Sequence, residues 1–450
     1  MFSTDDTIVA VATPAGHAGV GVVRLSGPAS FGIATALTHR ASWQPRRATR
    51  ATVHVADTPA DTLITCFPGP ASYTGEDVVE IAAHGNPLLL AAIVERAVEC
   101  GARPARAGEF TLRAFVRGKL DLVQAEAVRD LVEAASPAQL EQAARQLEGS
   151  LSSRVMGLGS ELRRLEMLLE ASVDFPDEGY RFVDGPAVAA SLEDVRRAMT
   201  ALVGNDARAA QLRHGASVVI AGAPNVGKSS LFNALLSSDR SIVTPVPGTT
   251  RDLVSERVVL GGELVRLVDS AGLRDTTDAI EAEGVRRASA AAASADLLVQ
   301  VTDRSVPFDD RWLWPLGASP SRRVLLVANK CDRPAAWSEA ALPAAVLSVS
   351  AVTGEGIGAL RHAIAESVRA TPGAEDREIV SNPRQRAALR AALRFVEHAR
   401  EELDRLGSSL PEEFLLEDLR GALTALDDLV GRRSSDDLLG EIFGSFCIGK

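Results

Sequence analysis

Long apolar runs and paired cysteines are both missing from this 450-residue chain. No apolar stretch reaches the roughly 18 residues that a membrane-spanning helix needs, so the sequence predicts no membrane association. The four cysteines, Cys66, Cys100, Cys331 and Cys447, lie far apart and form no CxxC pair. Their spacing argues against a disulfide scaffold and against a structural zinc site. These absences predict a protein of the reducing cytoplasm.

Lysine is also scarce. Of the 48 basic residues only four are lysines, namely Lys119, Lys228, Lys330 and Lys450. A lysine kept in an arginine-rich chain is expected where a compact ammonium has a use that a planar guanidinium lacks. Two of the four fall in the nucleotide-binding motifs described below, which raises the expectation that Lys119 and Lys450 are functional too.

The net charge of −11 gives the chain no general attraction for polyanions such as nucleic acid. One local exception is a basic stretch, interrupted only by Glu109, that consists of Arg103, Arg106, Arg113, Arg117 and Lys119. Two interpretations of this stretch stay open: it contacts phosphate groups, or it is a solvated face.

Hydrophobic periodicity divides the chain into segments of different class. Residues 1–118 show strand patterns and a helical stretch at residues 87–100, which predict an α+β domain. Residues 119–212 and 378–450 have the pattern of amphipathic helices. Between them, residues 213–377 alternate strands and helices, as a parallel α/β sheet does. The sequence therefore predicts a multidomain chain in which an α/β domain is inserted into a discontinuous α-helical domain.

A phosphate-binding motif follows the buried-strand pattern of residues 217–221. Its sequence is Gly222-Ala-Pro-Asn-Val-Gly227-Lys228-Ser229, which matches GxxxxGK[ST] between a strand and a helix. Backbone N–H groups of such a loop surround the phosphates, and the lysine adds a point charge at the β- and γ-phosphates. The Ser229 hydroxyl is then a ligand for Mg²⁺.

Three more motifs follow the strand patterns of residues 264–268, 324–328 and 346–349. They are Asp269-Ser-Ala-Gly272, Asn329-Lys330-Cys331-Asp332 and Ser350-Ala351. The Asp332 carboxylate can accept hydrogen bonds from guanine N1–H and the exocyclic amine, whereas adenine would leave this acceptor unpaired. Because all four motifs stand at the carboxyl ends of predicted strands, they indicate a site for GTP.

The residues that would catalyse GTP hydrolysis do not follow the pattern of the small GTPases. The residue after Gly272 is Leu273, where small GTPases have a glutamine that orients water. Arg251 and Arg274 are either arginine-finger candidates or solvated, and both interpretations stay open. Thr250 is a second candidate hydroxyl ligand for Mg²⁺. The side-chain oxygen of Asn225 could hold a monovalent cation that replaces an arginine finger.

With these motifs, the chain resembles the MnmE (TrmE) family of bacterial tRNA-modification GTPases over essentially its whole length. The stretches that carry the resemblance begin at Asp6, Gly19, Phe67, Gly75, Gly108, Lys119, Asp174, Pro224, Gly248 and Phe446, the last being Phe446-Cys-Ile-Gly-Lys450.

The resemblance implies a K⁺-dependent GTPase that acts with an MnmG-type FAD protein. Together they install an aminomethyl or carboxymethylaminomethyl group at C5 of the wobble uridine of tRNA. It also implies a homodimer built by a folate-binding N-terminal domain, a heterotetramer with the flavoprotein, and a 5-formyl- or methylene-tetrahydrofolate one-carbon donor. By position, the folate contacts are Arg24, Glu80, Lys119 and Lys450.

The resemblance also places residues at the nucleotide. It implies Asn225, Thr244, Val246 (through its carbonyl) and Thr249 as K⁺ ligands and Glu281 as the acid that orients water. The GTP-binding residues are Asn225, Val226, Gly227, Lys228, Ser229, Ser230, Thr244, Pro245, Val246, Pro247, Gly248, Thr249, Thr250, Asp269, Ser270, Ala271, Gly272, Asn329, Lys330, Asp332, Ser350 and Ala351. Ser270 and Pro247 depart from the family pattern.

Cys447 has two open interpretations, a buried small hydrophobe and a tRNA-modification thiol near the folate or tRNA site. Two other functions are also weighed. One is a GTPase switch in ribosome or RNA assembly, although no GxxG clamp in a basic setting follows residue 370. The other is a one-carbon transferase in the N-terminal domain with a regulatory GTPase.

Overall fold

The computed structural model describes residues 5–40, 42–55, 58–174, 185–237, 255–269, 295–308, 323–338, 345–369, 380–406, 412–433 and 435–450. Contacts divide the chain into two compact units. The first comprises Met1–Val132, Ala143–Arg196 and Ala388–Lys450, and the second comprises Glu133–Gln142 and Arg197–Ala387. The domain boundaries expected from the sequence stay predictions.

The first unit contains a six-stranded sheet. Its strands are β1 (Ile8–Val11), β2 (Ala18–Ser26), β3 (Thr49–Val55), β4 (Thr58–Phe67), β5 (Val78–Gly85) and β6 (Arg103–Pro104). Their order is β3-β4-β5-β2-β1-β6, and only the β1–β6 pair is parallel. The α+β class predicted for this segment is confirmed.

Two helices, α1 (Ser30–Thr38) and α2 (Pro87–Glu99), cover one face of this sheet. Ile33, Leu37 and Ile93 bury their side chains against strand residues such as Val23 and Ile81. The sequence predicted α2 but not α1. The glycine and hydroxyl residues of α1 give it weak intrinsic helix propensity, so packing on the sheet must supply its stability.

Outside the second sheet, helices form most of the remaining described residues, and those after residue 118 fall in the segments that the periodicity predicted to be helical. They are α3 (Glu109–Val116), α4 (Leu122–Glu133), α5 (Pro137–Leu147), α6 (Ser150–Asp174), α7 (Gly185–Val203) and α8 (Asp206–His214), followed near the end of the chain by α11 (Pro383–Leu406), α12 (Glu412–Val430) and α13 (Asp436–Gly444). Arg420 on α12 binds Glu166 and Glu170 on α6, so ion pairs join these two helices. No helix in the described ranges has an apolar stretch long enough to cross a bilayer.

Arg113 is a buried cation at the centre of the first unit, with 1% of its side chain exposed. Its guanidinium pairs with Asp6 (2.5 Å), Glu76 (3.1 Å) and Glu109 (3.2 Å). A charge at this depth is tolerated only when carboxylates and hydrogen bonds surround it. Both interpretations of the basic stretch are therefore wrong for Arg113, which neither meets solvent nor can reach an external phosphate.

Two neighbours in the basic stretch are also paired inside the fold. Arg103 binds Asp6 and Glu109, and Arg117 binds Glu76. Hydrogen bonds from Arg103 and Arg113 together hold the pKa of Asp6 below its ordinary value. These guanidinium groups therefore serve the ion-pair network of the first unit.

The C-terminal tail returns to the N-terminal sheet. Ile448 forms an antiparallel bridge with Ala107, and the Phe110 N–H donates to the Lys450 carbonyl at 3.2 Å. Gly449 has φ +95°, and a Cβ at this position would collide with the Val11 carbonyl. The tail therefore requires glycine here, because the backbone passes directly against β1.

The second unit contains another six-stranded sheet. Its strands are β7 (Ala216–Gly222), β8 (Ser255–Leu260), β9 (Glu263–Asp269), β10 (Leu297–Asp303), β11 (Arg323–Asn329) and β12 (Val346–Ser348), in the order β12-β11-β10-β7-β9-β8. Only β8 is antiparallel to its neighbour. Helices α9 (Lys228–Ser237) and α10 (Ile357–Arg369) pack their apolar faces on this sheet.

The predicted parallel α/β sheet is confirmed, and β7 is its topological switch point. The chain builds β9 and β8 on one side of β7 and then β10 to β12 on the other. Ligands of such sheets bind beyond the carboxyl ends of the strands at the point where the strand order reverses. The loop that follows β7 is therefore the expected binding position.

Candidate guanine-nucleotide site and N-terminal polar cluster

The loop that joins β7 to α9 has the backbone of a phosphate-binding loop. An added Cβ at Gly222 would collide with the Val301 carbonyl, and one at Gly227 (φ +95°) would collide with the Asn329 side chain. Asn225 has φ +62°, a left-handed conformation that asparagine tolerates better than most residues. The loop leads into the N-terminus of α9, where free N–H groups favour a phosphate.

Lys228 begins α9 and is 7% exposed. Its ammonium donates a 2.8 Å hydrogen bond to the Ala223 carbonyl, so the charge is held over the loop and away from bulk solvent. Asp269 ends β9 and pairs in register with Ile220 of β7, which brings this buried carboxylate next to the loop. Carboxylate and hydroxyl oxygens are ligands that Mg²⁺ prefers, so Ser229 and Asp269 fit a site for this ion.

Asn329 joins the segment predicted to read guanine to the phosphate-binding loop. Its side chain is buried, with 2% exposed. The amide nitrogen donates to the Val226 carbonyl at 2.8 Å, and the amide oxygen accepts from the Ala351 N–H at 3.2 Å. The next residue, Lys330, donates to the Asn225 carbonyl at 2.9 Å. Three of the four predicted motifs are thus connected directly.

Asp332 and Ser350 are joined by a hydrogen bond. Donation from the Ser350 hydroxyl lowers the pKa of the Asp332 carboxyl. The Ser350 oxygen in turn accepts the N–H groups of Val352 (3.3 Å) and Thr353 (3.1 Å). Asp332 is therefore an ionised and exposed acceptor held in place by a buried hydroxyl, as the reading of guanine N1–H and N2–H requires.

Of the other predicted residues of this site, two lie in the described part of the chain and the rest do not. Val226 is buried in the core of the sheet, and Ser230 lies in the first turn of α9. Outside the described residues lie Thr244, Pro245, Val246, Pro247, Gly248, Thr249, Thr250, Ser270, Ala271, Gly272 and Glu281, together with Arg251, Leu273 and Arg274. Their roles stay predictions.

Asp303, at the end of β10, belongs to the site and was missed from the sequence. Its carboxylate binds the Lys330 ammonium at 2.6 Å and accepts the Ser305 N–H and hydroxyl. The Trp337 indole donates to the Asp303 carbonyl at 3.0 Å. Burial would raise the pKa of Asp303, but hydrogen bonds from Lys330 and Ser305 hold it below its ordinary value. The sequence did offer a signal for Asp303: it is a carboxylate at the end of an apolar strand pattern, like Asp269 at the end of β9.

In the first unit, Arg24 and Glu80 face each other on β2 and β5. The guanidinium donates two hydrogen bonds to Glu80 Oε1, at 3.0 Å and 2.8 Å, and a longer one to the Gly449 carbonyl at 3.4 Å. The rings of Tyr73 and Phe110 lie 5.5 Å and 5.7 Å from it. These two predicted folate contacts therefore share one polar cluster with aromatic surroundings.

The two remaining predicted folate contacts lie on segments that reach this cluster. Lys119 donates to the Pro70 carbonyl at 3.2 Å, in the loop that carries Tyr73, and Lys450 follows Gly449 in the docked tail. Cys447 is exposed, so the interpretation of this cysteine as a buried hydrophobe is wrong.

A parallel sheet with a strand-end phosphate loop and an adjacent Asn-Lys-x-Asp segment defines the class of P-loop guanine-nucleotide-binding proteins. The family model "GTP-binding protein TrmE N-terminus" matches residues 7–119, and "MnmE helical domain" matches residues 122–447. The chain belongs to the MnmE family.

Curated relatives match this chain over its full length. Proteins named "tRNA modification GTPase MnmE" from Stutzerimonas stutzeri and Ectopseudomonas mendocina are each 42% identical, with 100% of both chains covered. The relative of that name from Koribacter versatilis is 41% identical over the same share. A solved structure, the FeoB G-domain from Methanococcus jannaschii, is 25% identical over 34% of this chain and 98% of that chain, with a TM-score of 0.25. A score this low supports no argument about the fold.

Replacement of Asp303 tests whether it positions Lys330. In Asp303→Ala the ammonium loses its carboxylate, so we expect GDP and GTP to dissociate about 10- to 100-fold faster, the range for loss of a charged hydrogen bond. Turnover at saturating GTP should change much less. The dissociation rate is measured by stopped-flow release of a fluorescent nucleotide, and Trp337 fluorescence reports whether the packing around Asp303 is kept.

Asp296→Ala is the matched control, because Asp296 caps the opposite end of β10 through the Ser217 N–H at 2.7 Å. It should lower stability without changing nucleotide release. Equal release rates for Asp303→Ala and the wild type would contradict the positioning role.

Proposed function

We propose that this chain is a K⁺-dependent GTP hydrolase in the modification of tRNA at C5 of the wobble uridine, working with an MnmG-type flavoprotein. The observation that carries the proposal is the guanine site, in which Asn329 joins the phosphate loop to the base-reading residues. The names of the full-length relatives support the coupling of this site to tRNA modification. Dimerisation and a cytoplasmic location are part of the proposal.

Each residue of the nucleotide site has a role in this proposal that follows from its chemistry. Lys228 holds the β- and γ-phosphates, Ser229 and Thr250 bind Mg²⁺ through their hydroxyls, and Asp269 holds the ion through water. The ion would neutralise charge that develops on the phosphate oxygens. Asp332 recognises guanine. Glu281 orients the attacking water. It thereby takes the role of the glutamine that small GTPases have where this chain has Leu273.

A potassium ion takes the place of an arginine finger in this proposal, held by Asn225, Thr244, Val246 and Thr249. Two features of Asn225 support it: its backbone is left-handed and its carbonyl accepts from Lys330, while no described residue hydrogen-bonds its side chain. Asparagine oxygen is a suitable neutral ligand for a large monovalent cation.

The comparison of K⁺ with Na⁺ tests this cation. We expect hydrolysis to be faster in K⁺ by a factor approaching the roughly 10³–10⁵ of an arginine finger. Asn225→Gly keeps the left-handed backbone and the carbonyl but removes the side-chain oxygen, so it should lose the K⁺ stimulation and retain GTP affinity. Equal steady-state rates in the two salts would exclude the cation mechanism.

The polar cluster of the first unit is the proposed site for the tetrahydrofolate derivative. Glu80 is about one-third exposed and can accept N–H groups of a pterin, while the Arg24 guanidinium lies 5.5 Å from the Tyr73 ring and 5.7 Å from the Phe110 ring. Lys119 and Lys450 supply ammonium groups for the folate carboxylates. The exposed thiol of Cys447 is a candidate group in the modification chemistry.

Glu80→Gln tests this site because the amide keeps the size of the side chain and removes its charge. Calorimetric titration with 5-formyltetrahydrofolate should show binding weaker by about 10- to 100-fold. Deletion of Lys450 should also weaken it. Glu99→Gln, at the exposed partner of Arg96, is the control and should bind like the wild type. Unchanged titrations for both test variants would refute the assignment.

The function as a whole is tested in cells that lack this protein. Mass spectrometry of tRNA nucleosides should show wobble uridines without their C5 substituent. The wild-type gene should restore it, and a Lys228→Ala variant should not, because the nucleotide site is then impaired. Normal wobble nucleosides together with accumulated ribosome precursors would favour the rival function, a GTPase switch in RNA assembly.

A further inference from the structure

The first part of the chain contains a long window without acids. Residues 7–56 have no aspartate or glutamate, although the chain has 59 acidic residues and a net charge of −11. Five arginines fall in this window, at positions 24, 40, 46, 47 and 50. Arg24 is used in the pair with Glu80, and the other four lie within eleven residues of one another. This window therefore carries only positive formal charge, in a chain whose net charge is negative.

The fold places these four arginines along one margin of the N-terminal sheet. All four are exposed, on the segment that leads from α1 into β3, which is the edge strand. The Arg46 N–H donates to the Cys66 carbonyl of β4 at 2.8 Å, which fixes this segment against the sheet. We call Arg40, Arg46 and Arg47 the basic edge.

The hydrogen-bond partners of the basic edge leave its positive charge unneutralised. Its side chains donate to neutral oxygens: Arg40 to the Ser42 carbonyl, Arg46 to the Ala71 carbonyl and Arg47 to the Gln44 amide. Among the described residues, none of the three forms an ion pair with a carboxylate. Some exposed arginines elsewhere in this unit are neutralised by carboxylates, as in Arg96–Glu99, Arg164–Glu161 and Arg405–Glu402.

Neutral acceptors orient a guanidinium without cancelling its charge. Trp43 adds to this order, because its indole donates to Thr35 of α1 and its ring lies 5.5 Å from the Arg40 guanidinium. Oriented guanidinium forks match phosphate oxygens in a bidentate manner. Arg50 is not part of the basic edge, because the Asp61 carboxylate pairs with its guanidinium at 2.8 Å and neutralises its charge.

We propose that the basic edge is a docking surface for the phosphate backbone of tRNA. The inference rests on the proposed function and specifies where the nucleic acid is held. A protein whose net charge repels a polyanion needs such a local surface to bind and orient one. An anionic membrane is a poorer partner, because no large apolar side chain between Arg40 and Val55 is exposed in the described residues to enter a bilayer.

The test removes three charges from two different places on the full-length protein. One variant carries Arg40→Gln, Arg46→Gln and Arg47→Gln. The matched control carries Arg96→Gln, Arg164→Gln and Arg405→Gln, so both variants have the same net charge and lose exposed arginines. Binding of unmodified tRNA is measured by fluorescence anisotropy between about 50 and 200 mM salt, the range in which phosphate contacts change affinity most.

We expect the basic-edge variant to bind tRNA at least about tenfold more weakly at the low-salt end. The slope of log affinity against log salt should fall by about 2 to 3, or about one for each lost phosphate contact. The control should retain the affinity and slope of the wild type, and both variants should hydrolyse GTP normally.

Equal tRNA affinity for the two variants would overturn the inference, as would the absence of measurable tRNA binding by the wild type at low salt. So would a basic-edge variant that keeps its tRNA affinity but no longer binds the flavoprotein, because the surface would then serve a protein partner. None of these outcomes decides the proposed function, which fails separately if wobble nucleosides are normal in cells lacking the protein.

Discussion

The buried guanidinium of Arg113 is the constraint on which the first unit depends. It binds Asp6 ahead of β1, Glu76 ahead of β5 and Glu109 at the start of α3, so one cation joins three segments that are distant in the sequence. Removal of one carboxylate would leave charge buried without its full set of partners, which typically costs about 3–5 kcal/mol. The loop before Glu76 carries Tyr73, and α3 carries Phe110, so the same network positions the two rings beside Arg24.

The second unit relies on hydrogen bonds between strand ends. Asn329 bonds to Val226 and Ala351, while Lys330 bonds to Asn225 and Asp303, so base-reading and phosphate-binding segments are held together by buried or half-buried polar groups. Low dielectric surroundings strengthen such bonds and raise the cost of losing a partner. The guanine site is therefore organised by the fold itself, with glycines at 222 and 227 that allow the close approach.

Much of the fold and of the nucleotide site could be predicted from the sequence because the signals are local. The strands before Gly222, Asp269 and Asn329 begin and end within one residue of their predicted bounds, since apolar runs and strand-end motifs coincide there. Helix α1 was missed because packing rather than propensity stabilises it. The basic stretch around Arg113 was misread, because periodicity and charge cannot show which carboxylates fold back onto a cation.

The sequence by itself determined where the phosphate loop and the other strand-end motifs lie and in what order, because each is a short segment whose chemistry requires particular residues at fixed spacing. Only the tertiary structure decided that Asp303 holds Lys330, that Arg24 faces Glu80 across two strands, and that the C-terminal tail lies against β1. Only the structure also distinguished buried Arg113 from the exposed arginines near β3. These are contacts between residues tens to hundreds of positions apart, and they arise from burial and pairing that no local pattern encodes.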